Sequence, residues 1–159
     1  MEQAIYQELI FMDVDADCAE SVIRTLGAAF EAHGFVKDSY VEAVFAREGE
    51  YPTGLQLQGI GVAMPHTTGS HVIKPAVGVA KLKQPVTFYH MGMDDVPVQA
   101  EIVFMMAILD PEKQIDLLKK MTKIFTNNEA MQAFKTAKDK DALLAVAQTY
   151  IENNDAETL

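Results

Sequence analysis

Four histidines and one cysteine are the side chains of this sequence best suited to nucleophilic chemistry near neutral pH. His66 stands apart because of what precedes it. In Gly59-Ile60-Gly61-Val62-Ala63-Met64-Pro65-His66-Thr67, the apolar residues Ile60, Val62 and Met64 alternate with small ones, the pattern of a short buried strand. Pro65 has no N–H to offer a central ladder, so the strand stops there, and it biases Met64 toward extended geometry. Gly61 and Ala63 leave room for another backbone or a ligand to approach. His66 is then the first residue past a rigid strand, at a sheet end where α/β proteins meet ligands. The pattern fits a reactive imidazole on a stiff mount, and it also fits a loop histidine that only meets water; geometry separates the two.

The other reactive side chains carry weaker signals. Cys18 stands near a helix start, where the dipole lowers a thiol pKa, but no histidine motif accompanies it. Asp13, Asp15 and Asp17 alternate like calcium-loop ligands. Cys18 falls where such a loop needs glycine, and Arg24 where it needs glutamate, so the pattern is a helix lead-in. Asp94-Asp95 reads as a solvated turn. His33 is expected as a partly buried helix-end residue, and His90 falls in a loop with no assigned role. His71 lies close enough to return to His66 if the Thr67–His71 loop folds back. No phosphate-binding glycine loop of the ATPase type is present, and neither a metal nor a cofactor is expected.

These residues must be positioned by alternating strands and helices. Glu8 to Val14 reads as a short strand. A helix over Cys18–His33 carries Val22, Leu26, Ala29, Phe30 and His33 on one face, and Gly34 is placed to end it. A second helix, Ser39–Glu48, has Val41, Val44 and Phe45 as its expected core face. Arg47 falls in its last turn, where a cation compensates the helix dipole or, alternatively, offers a guanidinium fork to phosphate oxygens. Gly49–Gly59 reads as loop. Strands are expected over Ala76–Leu82 and Val98–Leu109, with a separate extended piece at Pro85–Phe88 and a loop over Tyr89–Pro97. Ile102 to Leu109 is apolar on both faces, as in a central strand covered by helices. Asp110-Pro111 opens a helix whose buried face is expected to be Ile115, Leu118, Met121, Thr122 and Phe125. A further helix begins near Asn127 or Asn128, with Met131 and Phe134 inward. The last spans Asp141–Ile151, and residues 153–159 read as a polar tail. The fold class is therefore α/β: a single domain over 1–159, with a mixed β-sheet flanked by helices.

Composition narrows the function. The chain has 159 residues and a formal net charge of −10. That charge argues against nucleic acid and anionic membranes as partners, and it suits a basic protein partner. The longest apolar run, Ile102–Leu109, is far short of the ~20 residues that span a bilayer. No secretory signal is visible, and a lone cysteine makes no internal disulfide, so the expected localisation is cytoplasmic.

Arg47-Glu48, Pro52-Thr53-Gly54-Leu55 and the run Gly59–His66 together resemble the active-site region of enzyme IIA domains of the fructose–mannitol family, in the bacterial phosphoenolpyruvate-dependent sugar phosphotransferase system. The Pro-Thr-Gly-Leu form and Pro85-Val86-Thr87-Phe88 resemble its galactitol-type branch. The likeness runs from about Leu9 to Tyr150. It implies the family's α/β fold and a phosphocarrier. His66 would take a phosphoryl group on Nε2 from phospho-HPr, itself charged by enzyme I, and pass it to the cysteine of a cognate EIIB. Through EIIB it would serve an EIIC permease, for galactitol or a related sugar or polyol. The Nδ1–H would donate to a carbonyl or carboxylate that the sequence does not name. Arg47 would neutralise phosphoryl oxygens, assisted by Thr67, which stands where many relatives have glycine. Many relatives also carry a second histidine where this chain has Gln114. A glutamine amide donates a hydrogen bond but carries no titrating proton, and His71 is a candidate to replace the missing group. The alternatives are a regulatory IIA-like domain whose phosphorylation state controls a partner, and a binding module with an inert His66.

Overall fold

The computed structural model describes residues 3–153. Five strands form one mixed sheet: β1 (Ile10–Val14), β2 (Leu55–Leu57), β3 (Ile60–Ala63), β4 (Ala76–Tyr89) and β5 (Pro97–Ala107). Their spatial order is β1-β4-β5-β3-β2. β4 runs parallel to β1 and antiparallel to β5; β3 runs parallel to β5 and antiparallel to β2. The helices are α1 (Ala19–Ala32), α2 (Tyr40–Glu50), α3 (Pro111–Phe125), α4 (Asn128–Thr136) and α5 (Lys140–Ala147), the last continuing into a wider turn over Gln148–Glu152.

The apolar run of β5 places it in the middle of the sheet, where both faces must be covered. Ile102, Phe104 and Met106 pack with the buried residues of α3, α4 and α5. Val103, Met105 and Ala107 alternate to the other face and pack under α1 and α2. Helix starts follow side-chain chemistry: Asp110, Asn127 and Asp139 each accept a backbone N–H of the first turn. Such caps are worth about 1 kcal/mol apiece. Gly34 closes α1 with a left-handed φ of 80°.

Several elements differ from the sequence expectation. Ala76–Leu82 and Pro85–Phe88 are one long strand, β4, whose pairing with β5 shifts register between Lys81 and Val86. That irregularity accommodates Pro85, which has no N–H for a ladder. β5 ends at Ala107 rather than Leu109. The expected loop after α2 contains β2, a three-residue strand whose Leu-Gln-Leu alternation is turned back onto β3 around Gly59, φ 81°. On α2 the buried face is Tyr40, Val44 and Glu48, while Phe45 is exposed. Tyr40 wins the inward position because its hydroxyl donates to the Met106 carbonyl at 2.6 Å. On α3, Leu117, Lys120, Met121, Ile124 and Phe125 face inward, and Ile115 and Thr122 face out. His33, too, is exposed rather than partly buried. Of the expected polar tail, residues 154–159 lie outside the described residues.

Candidate functional site

His66 is built onto the sheet end from three directions. The first is β3 itself. Gly61 lies so close to the Gln99 carbonyl of β5 that a Cβ there would collide with it, so the space left by this glycine is filled by backbone. Past Ala63 the chain does not leave the sheet at once. The Pro65 carbonyl accepts from Met106 N–H at 3.1 Å, and His66 bridges Met106 in parallel register. The second direction is α2, which Tyr40 ties to the carbonyl of the same Met106. The third is the start of α3, which carries Gln114.

His66 is buried, with 8% of the residue's surface exposed. Its Nδ1 lies 2.7 Å from the Met64 carbonyl oxygen. A carbonyl only accepts, so this contact places the proton on Nδ1 and leaves the lone pair on Nε2. Met64 O is thus the acceptor that the sequence could not name. Burial pushes the His66 pKa below the usual histidine range, and the positive charge of Arg47 adds to the fall. The hydrogen bond to Met64 opposes both. The ring is therefore neutral, and nucleophilic, at neutral pH.

Arg47 is half-buried in the last turn of α2, its guanidinium 5.3 Å from the centre of the Tyr51 ring. Thr67 is buried directly after His66. Gln114 Nε2 donates to the Thr67 carbonyl at 3.2 Å, which brings the first turn of α3 to the site. His71 is held elsewhere: its Nδ1 is 2.8 Å from Ser39 Oγ at the start of α2, and its backbone N–H and carbonyl bond Thr68 and Lys37. Among the described residues no hydrogen bond links His71 to His66. His90 lies in the loop after β4 with Nδ1 beside the Met91 carbonyl, 2.9 Å away, and Cys18 is exposed.

Two residues were missed by sequence reasoning. Glu48 was quoted within a motif without a role, yet its carboxylate is buried and linked to the His66 site through Thr53. Thr53 donates to it twice, from N–H and from Oγ1–H, both at 2.8 Å. Thr53 Oγ1 in turn accepts Met64 N–H at 3.0 Å. Burial pushes the Glu48 carboxyl up to about 7, against the two Thr53 bonds that favour its ionised form. The available signal was a carboxylate four and eight residues from Val44 and Tyr40, on the apolar stripe of α2. A cleft of about 680 Å³ opens beside Glu48 and is lined by Tyr51, Tyr89, Met91 and Met93; His66 does not line it.

Comparison with known proteins identifies the family and the fold. Residues 3–149 match the model of the family described as phosphoenolpyruvate-dependent sugar phosphotransferase system, EIIA 2, and the chain belongs to that family. It is 31% identical over 98 residues to the galactitol-specific EIIA component of Escherichia coli K12, an alignment spanning 62% of this chain and 65% of that one. The match thus covers a little under two thirds of that relative's length. It is 24% identical over 148 residues to the fructose-specific EIIABC component of Bacillus subtilis, covering 91% of this chain and 22% of the relative. Among solved structures it resembles the mannitol IIA of E. coli, with a TM-score of 0.72 and 24% identity over 91% of this chain and 99% of that one. The nitrogen regulatory protein IIA-Ntr of Neisseria meningitidis has the same fold, with a TM-score of 0.70 and 19% identity over 89% and 94% of the two chains. Among the described residues no helix is long and apolar enough to cross a membrane.

Proposed function

We propose that this protein is a phosphocarrier whose acceptor atom is Nε2 of His66. The observation that carries the reading is the 2.7 Å contact between His66 Nδ1 and the Met64 carbonyl, on a buried ring with a depressed pKa. The donor is a phosphohistidine protein of the HPr class. The Nε2 lone pair forms a bond to phosphorus as the donor's P–N bond breaks, and the departing imidazole keeps that electron pair. The Nδ1 proton stays in place, and the Met64 carbonyl stabilises the positive charge that the ring acquires. Loose phosphoryl transfer asks mainly for alignment and for neutralised equatorial oxygens. Arg47 supplies the charge, with Thr67 and nearby backbone N–H groups as donors. Gln114 steadies the Thr67 peptide from α3.

In the second step a cysteine thiolate of an EIIB component attacks phosphorus, an S–P bond forms, and the neutral imidazole is regenerated as leaving group. Family membership and the likeness to galactitol-specific EIIA support this route and a galactitol-type polyol as the transported substrate. The overall acidity of the chain suits a basic partner.

The test is an intact-mass spectrum after incubation with phosphoenolpyruvate, enzyme I and HPr. One acid-labile phosphoryl group, absent in His66→Ala, is expected. An unmodified wild-type mass with active components overturns the proposal. Adding EIIB separates transport from regulation. Transfer to the EIIB cysteine supports transport, whereas a phosphoryl group retained on His66 that changes binding to another protein supports a regulatory role.

A further inference from the structure

Helix, loop and strand meet behind His66 in one hydrogen-bonded line. Glu48 on α2 accepts Thr53 N–H and Thr53 Oγ1–H; Thr53 Oγ1 accepts Met64 N–H; Met64 O accepts His66 Nδ1–H. The direction of each bond matters. A threonine hydroxyl has one proton and rotates freely. With that proton committed to a carboxylate, the hydroxyl oxygen turns a lone pair toward Met64 N–H. An apolar residue of the same size at position 48 would be the cheaper occupant of a buried helix face, since an ionisable group loses its hydration there. Its presence therefore points to a task that a carboxylate alone performs: accepting from two donors of the same threonine at once.

We infer that Glu48 is a positioning residue for His66, acting through Thr53 and Met64 to hold the carbonyl that captures the Nδ1 proton, and so deciding which imidazole nitrogen is offered to phosphorus. The catalytic consequence rests on the phosphocarrier reading above. The tautomer itself is a property of the resting protein and is independent of any donor. Thr53 is the second link in the line, and Met64 lies between it and the histidine. Because Met64 is clamped at its N–H and followed by Pro65, whose carbonyl bonds Met106, neither flanking peptide can rotate without breaking a bond.

The experiment reads tautomer and transfer separately. Long-range proton–nitrogen NMR on 15N-labelled full-length protein at pH 8 reports which nitrogen of His66 bears the proton. Wild type is expected to show a single Nδ1–H form. Glu48→Gln places a donor where the hydroxyl proton needs an acceptor, and Thr53→Val removes the hydroxyl. Both are expected to give mixed tautomers, while Thr53→Ser keeps the wild-type form. Phosphoryl uptake from phosphoramidate, a small donor that loses ammonia as the Nε2–P bond forms, should slow roughly ten- to hundredfold in Glu48→Gln and Thr53→Val and recover in Thr53→Ser. Far-ultraviolet circular dichroism checks folding, and Thr53→Val carries the test if Glu48→Gln does not fold. An unchanged single tautomer in the folded variants overturns the inference. Should wild type take up no phosphoryl group while the variants still lose the tautomer, the positioning role stands and the phosphocarrier reading alone falls.

Discussion

Two sets of groups around His66 are built differently. Behind Nδ1 the Met64 carbonyl, Thr53 and Glu48 form a line of short hydrogen bonds within buried structure, backed by Tyr40 and Met106. Arg47 and Gln114 are both half-buried; Arg47 reaches the ring through its charge, and Gln114 bonds the Thr67 carbonyl next to it. The first set holds the ring in one state through short hydrogen bonds; the second acts through charge and a single longer bond. A phosphoryl carrier needs this asymmetry. The nucleophile must present the same atom on every turnover, while the charge around the phosphorus must be met by groups that serve both donor and acceptor complexes.

Removing the ring erases the comparison. His66→Ala should abolish acid-labile phosphorylation by intact mass while its circular dichroism spectrum stays that of the wild type. Next in size is the charged group. Arg47→Ala should slow uptake from phospho-HPr by roughly 10²- to 10³-fold, the cost of losing one charged donor at developing charge. Arg47→Lys, which keeps the charge and loses the fork, should fall between. Equal rates in all three proteins, by quench-flow and phosphate-affinity gels, would leave Arg47 as a helix-end residue.

His66 and Glu48 titrate in opposite senses. The folded-state pKa of His66 is depressed, so the neutral nucleophile persists as pH falls below 6.5, and a decline in uptake near pH 7 would report protonation of Glu48 rather than of the ring. For stability, the unfolded chain binds the His66 proton more tightly. The contribution is therefore present above about 6.5 and is lost as pH falls through the folded pKa. Glu48 is raised from an ordinary carboxylate to about 7. The native state binds that proton more tightly, so its contribution is fully present below about 4.5 and is lost as pH rises through about 7. Urea unfolding from pH 4.5 to 8 should show wild type losing stability relative to Glu48→Gln as pH rises. A constant difference would mean that Glu48 titrates normally. Smallest of all are the peripheral groups. Gln114→Ala should slow uptake by about threefold, the loss of one long neutral hydrogen bond near the site. His71→Ala should leave the rate within about twofold, because its ring serves Ser39 instead.

Much of this was legible from the chain. Alternating Ile60, Val62 and Met64, the two-faced apolar run of β5 and the Asp110-Pro111 helix start are local patterns, and each element formed where its pattern lay. The misread faces of α2 and α3 have a common cause. On α2 Val44 lies inward as expected, but Phe45 turns out and Tyr40 turns in; on α3 Leu117 takes the inward place expected of Ile115. Tyr40 and Leu117 satisfy helical spacing too, and the choice of face is settled by partners on other elements. β2 was missed because three residues give too little alternation to detect without the strand they pair with.

The chain by itself determined that a histidine follows a stiff strand and a proline, that an arginine closes the preceding helix, and that no metal or nucleotide motif accompanies them. Those are matters of residue type and short spacing. Only the tertiary structure decided which atoms meet. It set Met64 O against Nδ1, sent His71 to Ser39, turned Gln114 to Thr67 and put Glu48 at the end of a line reaching the ring. The physical reason is that hydrogen bonds are sensitive to ångström distances and direction, and contacts between residues 11, 32 or 47 positions apart are fixed by how helices pack on the sheet.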